Sequence, residues 1–248
     1  MNSTRAVILP SYNSGPQLAR TMTAARKFWA PVWAVVDGST DGSEEEARGL
    51  GPEGFRVLHM EKNSGKGGAV LHALREAHRA GFTHALVMDA DGQHPAESIP
   101  TFMALSEAHP DAMILGYPVF GPDAPAERVK GRRIGNFFAW VETLGKGARD
   151  SLFGFRIYPV APALEILEHT KSGRRFDFDT VLAVRLTWAG VPAINRPVPV
   201  RYPPREDGGV SHFRYVRDNL LLTVVHVRLF FGLFPRIPRL LRMHRICP

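Results

Sequence analysis

The feature that most constrains this chain is an alternation in its first half. Short runs of β-forming residues, each ending in a polar loop, are separated by segments whose apolar residues follow helical spacing. Candidate strands lie at residues 6–9, 32–36, 55–60, 84–88 and 112–115, with helix-length stretches at 17–28, 68–80 and 97–109. Val70, Leu71, Leu74 and Ala77, for example, make one apolar face of the second stretch. This pattern predicts an α/β chain with a mostly parallel sheet flanked by helices. Ligands of such open sheets bind beyond the carboxyl ends of the strands. The polar loops at residues 11–15, 37–42 and 89–94 are therefore the expected walls of a site.

The second half is less regular. It holds a Gly/Pro-bearing stretch at 116–125, a basic patch at 128–133 and a segment at 176–186 with helical character. From about Tyr215 the chain turns into Leu, Val and Phe interleaved with Arg and His, punctuated by Pro235 and Pro238. The expected organisation is one catalytic domain over residues 1–215 and a basic amphipathic helical tail over 216–248, a longer helix followed by a short broken one. The apolar window 219–234 contains His226 and Arg228 and stops at Pro235, which reads as too short and too charged for a span of about 20 residues. The N-terminal apolar run is ended by Pro10, so no export signal is expected.

Lys and Arg outnumber Asp and Glu by 31 to 24, an excess that suits a phosphate-bearing partner. The single cysteine, Cys247, excludes an intramolecular disulfide and any CxxC redox motif. Residues 49–54, GLGPEG, match GxGxxG formally but follow a helix-like acidic stretch and precede a strand, the reverse of a dinucleotide fingerprint. NSGKGG at 63–68 lacks the earlier glycine and the Ser or Thr of an NTP-hydrolysing loop. The ten histidines show no HExxH spacing, and only His94 lies beside a candidate metal motif.

That motif is MDADGQHP, residues 88–95. Asp89 and Asp91 follow an apolar strand and are separated by one small residue, so in an extended conformation both point to one side. Two hard oxygen donors placed so can hold Mg2+ or Mn2+ together with diphosphate oxygens, and Gln93 offers a further carbonyl oxygen. A solvated acidic turn has the same composition. Asp37, a carboxylate just beyond a buried strand, is a second ligand candidate, while Asp41 is the better helix cap in the loop they share.

Together ILPSYN, VVDGSTDGS, NSGKGGAV and MDADGQHP resemble the glycosyltransferase family 2 domain, in particular its branch of dolichol- and polyprenyl-phosphate sugar synthases. The resemblance extends through DSLFGFRIY (150–158), FDFDTVLAVR (176–185) and RYPPREDGGVSHF (201–213), covering about residues 4–215. It implies a GT-A, Rossmann-like fold and an inverting, metal-dependent transfer of a hexose from a UDP- or GDP-sugar, in cell-wall or lipid glycosylation. By that resemblance Pro10, Tyr12, Asn13, Asp37, Lys66, Gly67 and Asp89 bind the nucleotide, and Asp89, Asp91 and Gln93 surround the metal and diphosphate. The chain departs from the family at two points. Val36 precedes a single Asp37 where many relatives carry two aspartates, and His212 stands where many have Lys, which makes a phosphate contact there pH-sensitive.

Asp177 and Asp179 are the candidate catalytic carboxylates, Asp179 preferred. A hydroxyl acceptor needs a base to take its proton, whereas a phosphate acceptor is already ionised. The same pair also reads as an acidic cluster favoured at a helix N-terminus. Arg132, Arg133, Arg156, Arg201 and Arg205 supply the basic half of the site, with Arg156, Arg205 and Ser211 the preferred contacts to the acceptor or its phosphate. The expected acceptor is a polyprenyl phosphate or other lipid. The alternatives are a non-phosphate hydroxyl on a lipid or polyene, and a non-catalytic nucleotide- or anion-binding scaffold. A nucleic-acid partner leaves the DAD motif and the Asp37 loop without a purpose. A helix through residues 220–231, with Arg217 and Arg228 at its edge, suits a membrane surface. The expected location is cytoplasmic, peripheral on the cytoplasmic membrane face.

Overall fold

The computed structural model describes residues 4–120, 126–200 and 215–243. Its strands are β1 (Arg5–Ser11), β2 (Val32–Asp37), β3 (Phe55–Met60), β4 (His84–Val87), β5 (Met113–Val119), β6 (Arg156–Pro159) and β7 (Ala193–Pro199). Among the described residues they form one seven-stranded sheet in the order β3-β2-β1-β4-β6-β5-β7. All pairings are parallel except those of β6, which runs antiparallel to both β4 and β5.

The first five strands and their helices fall where the sequence period puts them, with ends that differ by a few residues. Helices α1 (Gln17–Arg26), α2 (Ser43–Arg48), α3 (Lys66–Arg79) and α4 (Ile99–Ala108) connect these strands. Side chains alternate across the sheet. Val7 and Leu9 of β1 pack on one face with Leu18 and Met22 of α1 and Phe102 of α4. Ile8 points to the other face, with Val70 and Leu74 of α3 and Phe178 and Leu182 of α7 (Phe178–Trp188). Strands β6 and β7 escape the period because Arg156 and Pro159 interrupt the first and Arg196, Pro197 and Pro199 the second.

Helix α7 is buried along its length except at the half-buried Arg185, with Asp179, Thr180 and Thr187 among its buried residues. Its Val181, Val184 and Trp188 form a third core with Ala139 of α5 (Ala126–Glu142), Val225, Leu229 and Leu233 of α8 (Tyr215–Leu233), and Leu240 of α9 (Ile237–Arg242). The tail is thus built into the domain through α7. Polar contacts fasten it further. Arg239 donates to the Ala189 carbonyl, and the Lys146 ammonium caps the carbonyl ends of α9 at Leu240 and Met243. A 3-10 turn at Phe234–Arg236 carries the helical run past Pro235. The stretch Leu221–Arg242, 22 residues, is consequently long and apolar enough to cross a membrane, which the sequence window ending at Pro235 did not indicate.

Between α5 and α8, His226 Nδ1 lies 2.9 Å from Glu142 Oε1, with Glu142 fully buried. Burial pushes the Glu142 carboxyl above its ordinary range, against the opposing pull of His226. Its Oε2 has no hydrogen-bond partner. Removing one member of such a pair leaves an uncompensated buried group, a loss of about 3 kcal/mol. His226→Ala is therefore expected to lower unfolding stability by roughly that amount in urea titration, and more than the double change His226→Leu with Glu142→Leu.

Candidate functional site

The polar loops at the ends of β1, β2 and β4 do converge. Asp37, buried at the end of β2, commits both carboxylate oxygens to the turn before α3. Oδ1 accepts from the Ser64 amide (2.8 Å) and hydroxyl (2.9 Å), and Oδ2 from the Gly65 amide (2.7 Å). Asn13 joins the first two loops, its amide donating to Ser39 Oγ and its Oδ1 accepting from the Thr40 amide. Asp41 accepts from Gly15 on one oxygen and from the amide and hydroxyl of Ser43, the first residue of α2, on the other, but the cap position itself falls to Gly42, so Asp41 ties the turn rather than capping the helix. Pro10 is half-buried in β1, one residue before its end, and Tyr12 is exposed at the rim.

At the start of α3, the Lys66 ammonium sits 2.6 Å from Asp89 Oδ1 and 2.6 Å from Asp179 Oδ2. Burial alone would lower its pKa, but the two carboxylates outweigh burial and raise it, so Lys66 is a fixed cation. Gly67 lets α3 approach the loop before α7, since a Cβ there would lie 1.9 Å from the Gly173 carbonyl oxygen. The Gly68 amide donates to the Arg174 carbonyl at 3.0 Å, closing the same seam. Asp177 shapes that loop from the other side, accepting from the Gly173 (2.7 Å) and Arg175 (3.1 Å) amides. Asp179, two residues on, points to Lys66 and keeps its buried Oδ1 without a partner.

Burial raises the Asp89 carboxyl, but Lys66 and then His94 outweigh it and hold the pKa at about 2. Asp91 moves the other way, up, through burial and the neighbouring Asp89 charge. Its Oδ1 accepts from the Gln93 amide at 3.0 Å, which fixes the loop. The His94 ring is buried edge-on against Phe153 and Phe155 and receives the Asp89 amide on Nδ1 at 3.1 Å. That bond makes Nε2 the protonated nitrogen of the neutral ring, and burial lowers the ring's pKa. His94 is thus a packing and loop-holding residue.

Among the described residues, no group of three or more His, Cys, Asp and Glu is placed to hold a metal ion. The donor set is the Asp89 and Asp91 pair, which suits a hard divalent cation taking its remaining oxygens from phosphate and water. Burial and then the Asp89 charge raise the Asp91 carboxyl, and a divalent cation at the pair would offset the second.

Two residues of DSLFGFR behave differently from each other. Gly154 lies against the ion pair, where a Cβ would be 2.5 Å from Asp89 Oδ2 and 2.6 Å from Lys66 Nζ. Arg156 is fully buried behind it, donating to the Asp179 carbonyl, the Asp150 carbonyl and the Tyr158 hydroxyl. Its guanidinium holds the chain's own backbone and does not face the cleft. Arg201, Arg205, Ser211 and His212 lie outside the described residues.

A second concavity of about 520 Å3 adjoins this segment, lined by Tyr117, Phe120, Arg132, Arg133, Arg149 and Asp150 among others. Asp150 organises it, accepting from Arg132 (2.8 Å), Asn136 (3.1 Å) and the Leu152 and Phe153 amides. Arg149 stacks on Tyr117 at 4.5 Å. Asp150, in the cavity wall, and Gly154, against the Asp89 and Lys66 pair, are four residues apart, so their Cα atoms are separated by at most about 14 Å. Arg149 escaped sequence reasoning, although it directly precedes the family-like DSLFGFR. Gly154 did too, because contact between loops is invisible in a linear pattern.

The model of Glycosyl transferase family 2 matches residues 6–166. The chain is 28% identical over 217 residues to the polyprenol monophosphomannose synthase of Mycolicibacterium smegmatis, covering 82% of this chain and 78% of the relative. It is 24% identical over 217 residues to the undecaprenyl-phosphate mannosyltransferase of Micrococcus luteus, with 81% and 84% covered. Among solved structures it superposes on glucosyl-3-phosphoglycerate synthase from Mycobacterium tuberculosis in complex with UDP, with a TM-score of 0.66 and 15% identity, covering 94% of this chain and 80% of that one. The structural likeness establishes the GT-A fold.

Two outcomes follow from this geometry. Gly154→Ala is expected to displace the Asp89 and Lys66 pair and weaken nucleoside diphosphate binding at least tenfold by calorimetry, with the circular dichroism spectrum unchanged. Asp89, held near 2 against about 3.9 unfolded, contributes stability that is full above pH 4 and lost as pH falls towards 2. Asp89→Asn is expected to flatten the stability profile between pH 4 and 2.

Proposed function

The chain belongs to glycosyl transferase family 2, and on that premise we propose that it moves a hexose from a UDP- or GDP-sugar to a polyprenyl phosphate, with inversion at the anomeric carbon. The observation that carries this reading is a three-arginine cavity whose wall residue Asp150 is tied through Arg156 to Asp179, the carboxylate that holds Lys66. One half suits a donor diphosphate and the other an anionic acceptor.

On the donor side, the loops after β1 and β2, with Pro10, Tyr12 and Asn13, flank the nucleotide. Asp37 acts on it through the turn before α3, which both its oxygens hold. Asp89 and Asp91 would hold a Mg2+ or Mn2+, which supplies counter-charge to the departing nucleoside diphosphate. Lys66 adds a fixed positive charge at the same place. On the acceptor side, guanidinium groups of Arg133 and Arg149 pair with phosphate oxygens, while Arg132 is steadied by Asp150.

An acceptor phosphate is already ionised near neutral pH and attacks without a protein base. Asp179 then orients Lys66. A second reading, a hydroxyl acceptor, draws on the buried Asp179 Oδ1 that has no partner and is free to accept a proton. Asp179→Asn separates the two. With a phosphate acceptor, kcat should fall less than tenfold. With a hydroxyl acceptor, the lost base should cost on the order of a hundredfold or more.

Titration calorimetry with UDP and GDP, each with and without Mn2+, identifies the base and tests the metal. Binding of one nucleotide, strengthened at least tenfold by Mn2+ and no longer so in Asp91→Asn, is the expected result. Incubation of labelled sugar nucleotides with a short-chain polyprenyl phosphate, followed by mass analysis, tests the transfer, and no glycosylated product from any donor would overturn it.

A further inference from the structure

A cluster of positive charge at the carboxyl end of α7 has no counter-charge among the described residues. Arg185 is the one residue of that helix that is not fully buried, and its Nε is enclosed without a hydrogen-bond partner. Burial and then the charge of Arg236 depress the pKa of its guanidinium, and no carboxylate opposes them. Charges taken out of water in proteins are ordinarily paired, because an unpaired one loses hydration with nothing in return. The described residues supply Arg185 with no such pair.

The neighbouring cation is fixed where it stands. Trp188, three residues on and so on the same face of α7, donates its indole N–H to the Glu142 carbonyl at 2.7 Å. Gly232 of α8 lies close against that ring, since a Cβ there would be 2.9 Å from Trp188 Cη2. Arg236 stacks on the ring at 4.5 Å and donates to the Gly232 carbonyl at 2.6 Å. Arg239, three residues further, donates to the Ala189 carbonyl just past α7. The acidic groups of the surrounding elements are engaged elsewhere. Asp179 of α7 holds Lys66 about 9 Å back along the helix, and the Glu142 carboxyl of α5 faces His226. From Leu221 to Met243 the tail has four arginines and no acidic residue.

Two like charges held together cost stability unless an anion joins them. A guanidinium offers paired N–H donors that match phosphate oxygens. A phosphate dianion balances both arginines, which a single carboxylate does not. Arg185 and Arg236 are each half-buried, so solvent reaches the pair.

We infer that Arg185 and Arg236, with Trp188 as their shelf and Arg239 beside them, form a second anion site for a phosphate group. It shares no lining residue with the arginine cavity, and when filled it ties α7 to the tail.

The test is thermal unfolding of the full chain and of Arg185→Gln, each with inorganic phosphate, with a water-soluble short-chain phosphatidic acid, and with potassium chloride at equal ionic strength. The donor site and the arginine cavity are the same in both proteins, so the difference between them reports this pair. In chloride, Arg185→Gln should unfold at the wild-type temperature or above it, because it removes an unpaired charge beside Arg236. With phosphate, wild type should gain several degrees and the variant less than half as much. Arg236→Lys, which keeps the charge and loses the fork, should also diminish the gain. A difference larger with the phosphatidic acid assigns the site to a lipid headgroup, and one equal or smaller assigns it to free phosphate. Equal gains in wild type and Arg185→Gln overturn the inference. So does a variant that unfolds below wild type in chloride, which would give Arg185 a partner within the chain.

Discussion

The site depends on one ammonium group. Lys66 enters at the first turn of α3 and touches a carboxylate from β4's end on one side and a carboxylate from α7 on the other. Without it, the Asp89 and Asp179 carboxylates would have no cation between them and like charge would drive them apart. With it, Asp89 stays ionised, and its charge adds to burial in raising the Asp91 carboxyl. Much of the surrounding construction serves to hold Lys66. Asp37 fixes the turn before it, Gly67 lets its helix close on the α7 loop, and Gly154 leaves room for the pair.

The antiparallel strand β6 gives this cluster its second half. Inserted between β4 and β5, it brings the preceding segment, Asp150 to Phe155, across the carboxyl end of β4. One end of that segment packs on Asp89 and the other organises the arginine cavity. Arg156 underlies both, a buried cation spent on two backbone carbonyls that fix Asp150 and Asp179 relative to each other. Donor and acceptor halves are thus joined by a short, rigid stretch of chain, the kind of arrangement that positions two reactants.

How much of this is legible in sequence depends on the range of the cause. Local period and turn chemistry mark β1 to β5, α1, α3 and α4, and the two-residue spacing of Asp89 and Asp91. Asp37 is marked as important by its place at a strand end, yet its partners, Ser64 and Gly65, are distant in sequence and cannot be read from the motif. Arg156 reads as a phosphate ligand because arginines usually stay wet, and only the fold shows it enclosed with backbone acceptors. The tail's amphipathic pattern is visible, but not that α7, buried on nearly every side, shares a core with it. Arg156 and Pro159 in β6 and the prolines of β7 defeat period-based recognition, since the sheet there is set by tertiary pairing.

The most direct test of the account is calorimetric titration of nucleoside diphosphate and Mn2+ into Lys66→Met, checked for an unchanged fold. Loss of at least a hundredfold in affinity is the expected result, because Asp89 and Asp179 would lose the cation that bridges them and keeps them in register. Affinity and metal dependence equal to wild type would show that the site does not rest on this contact.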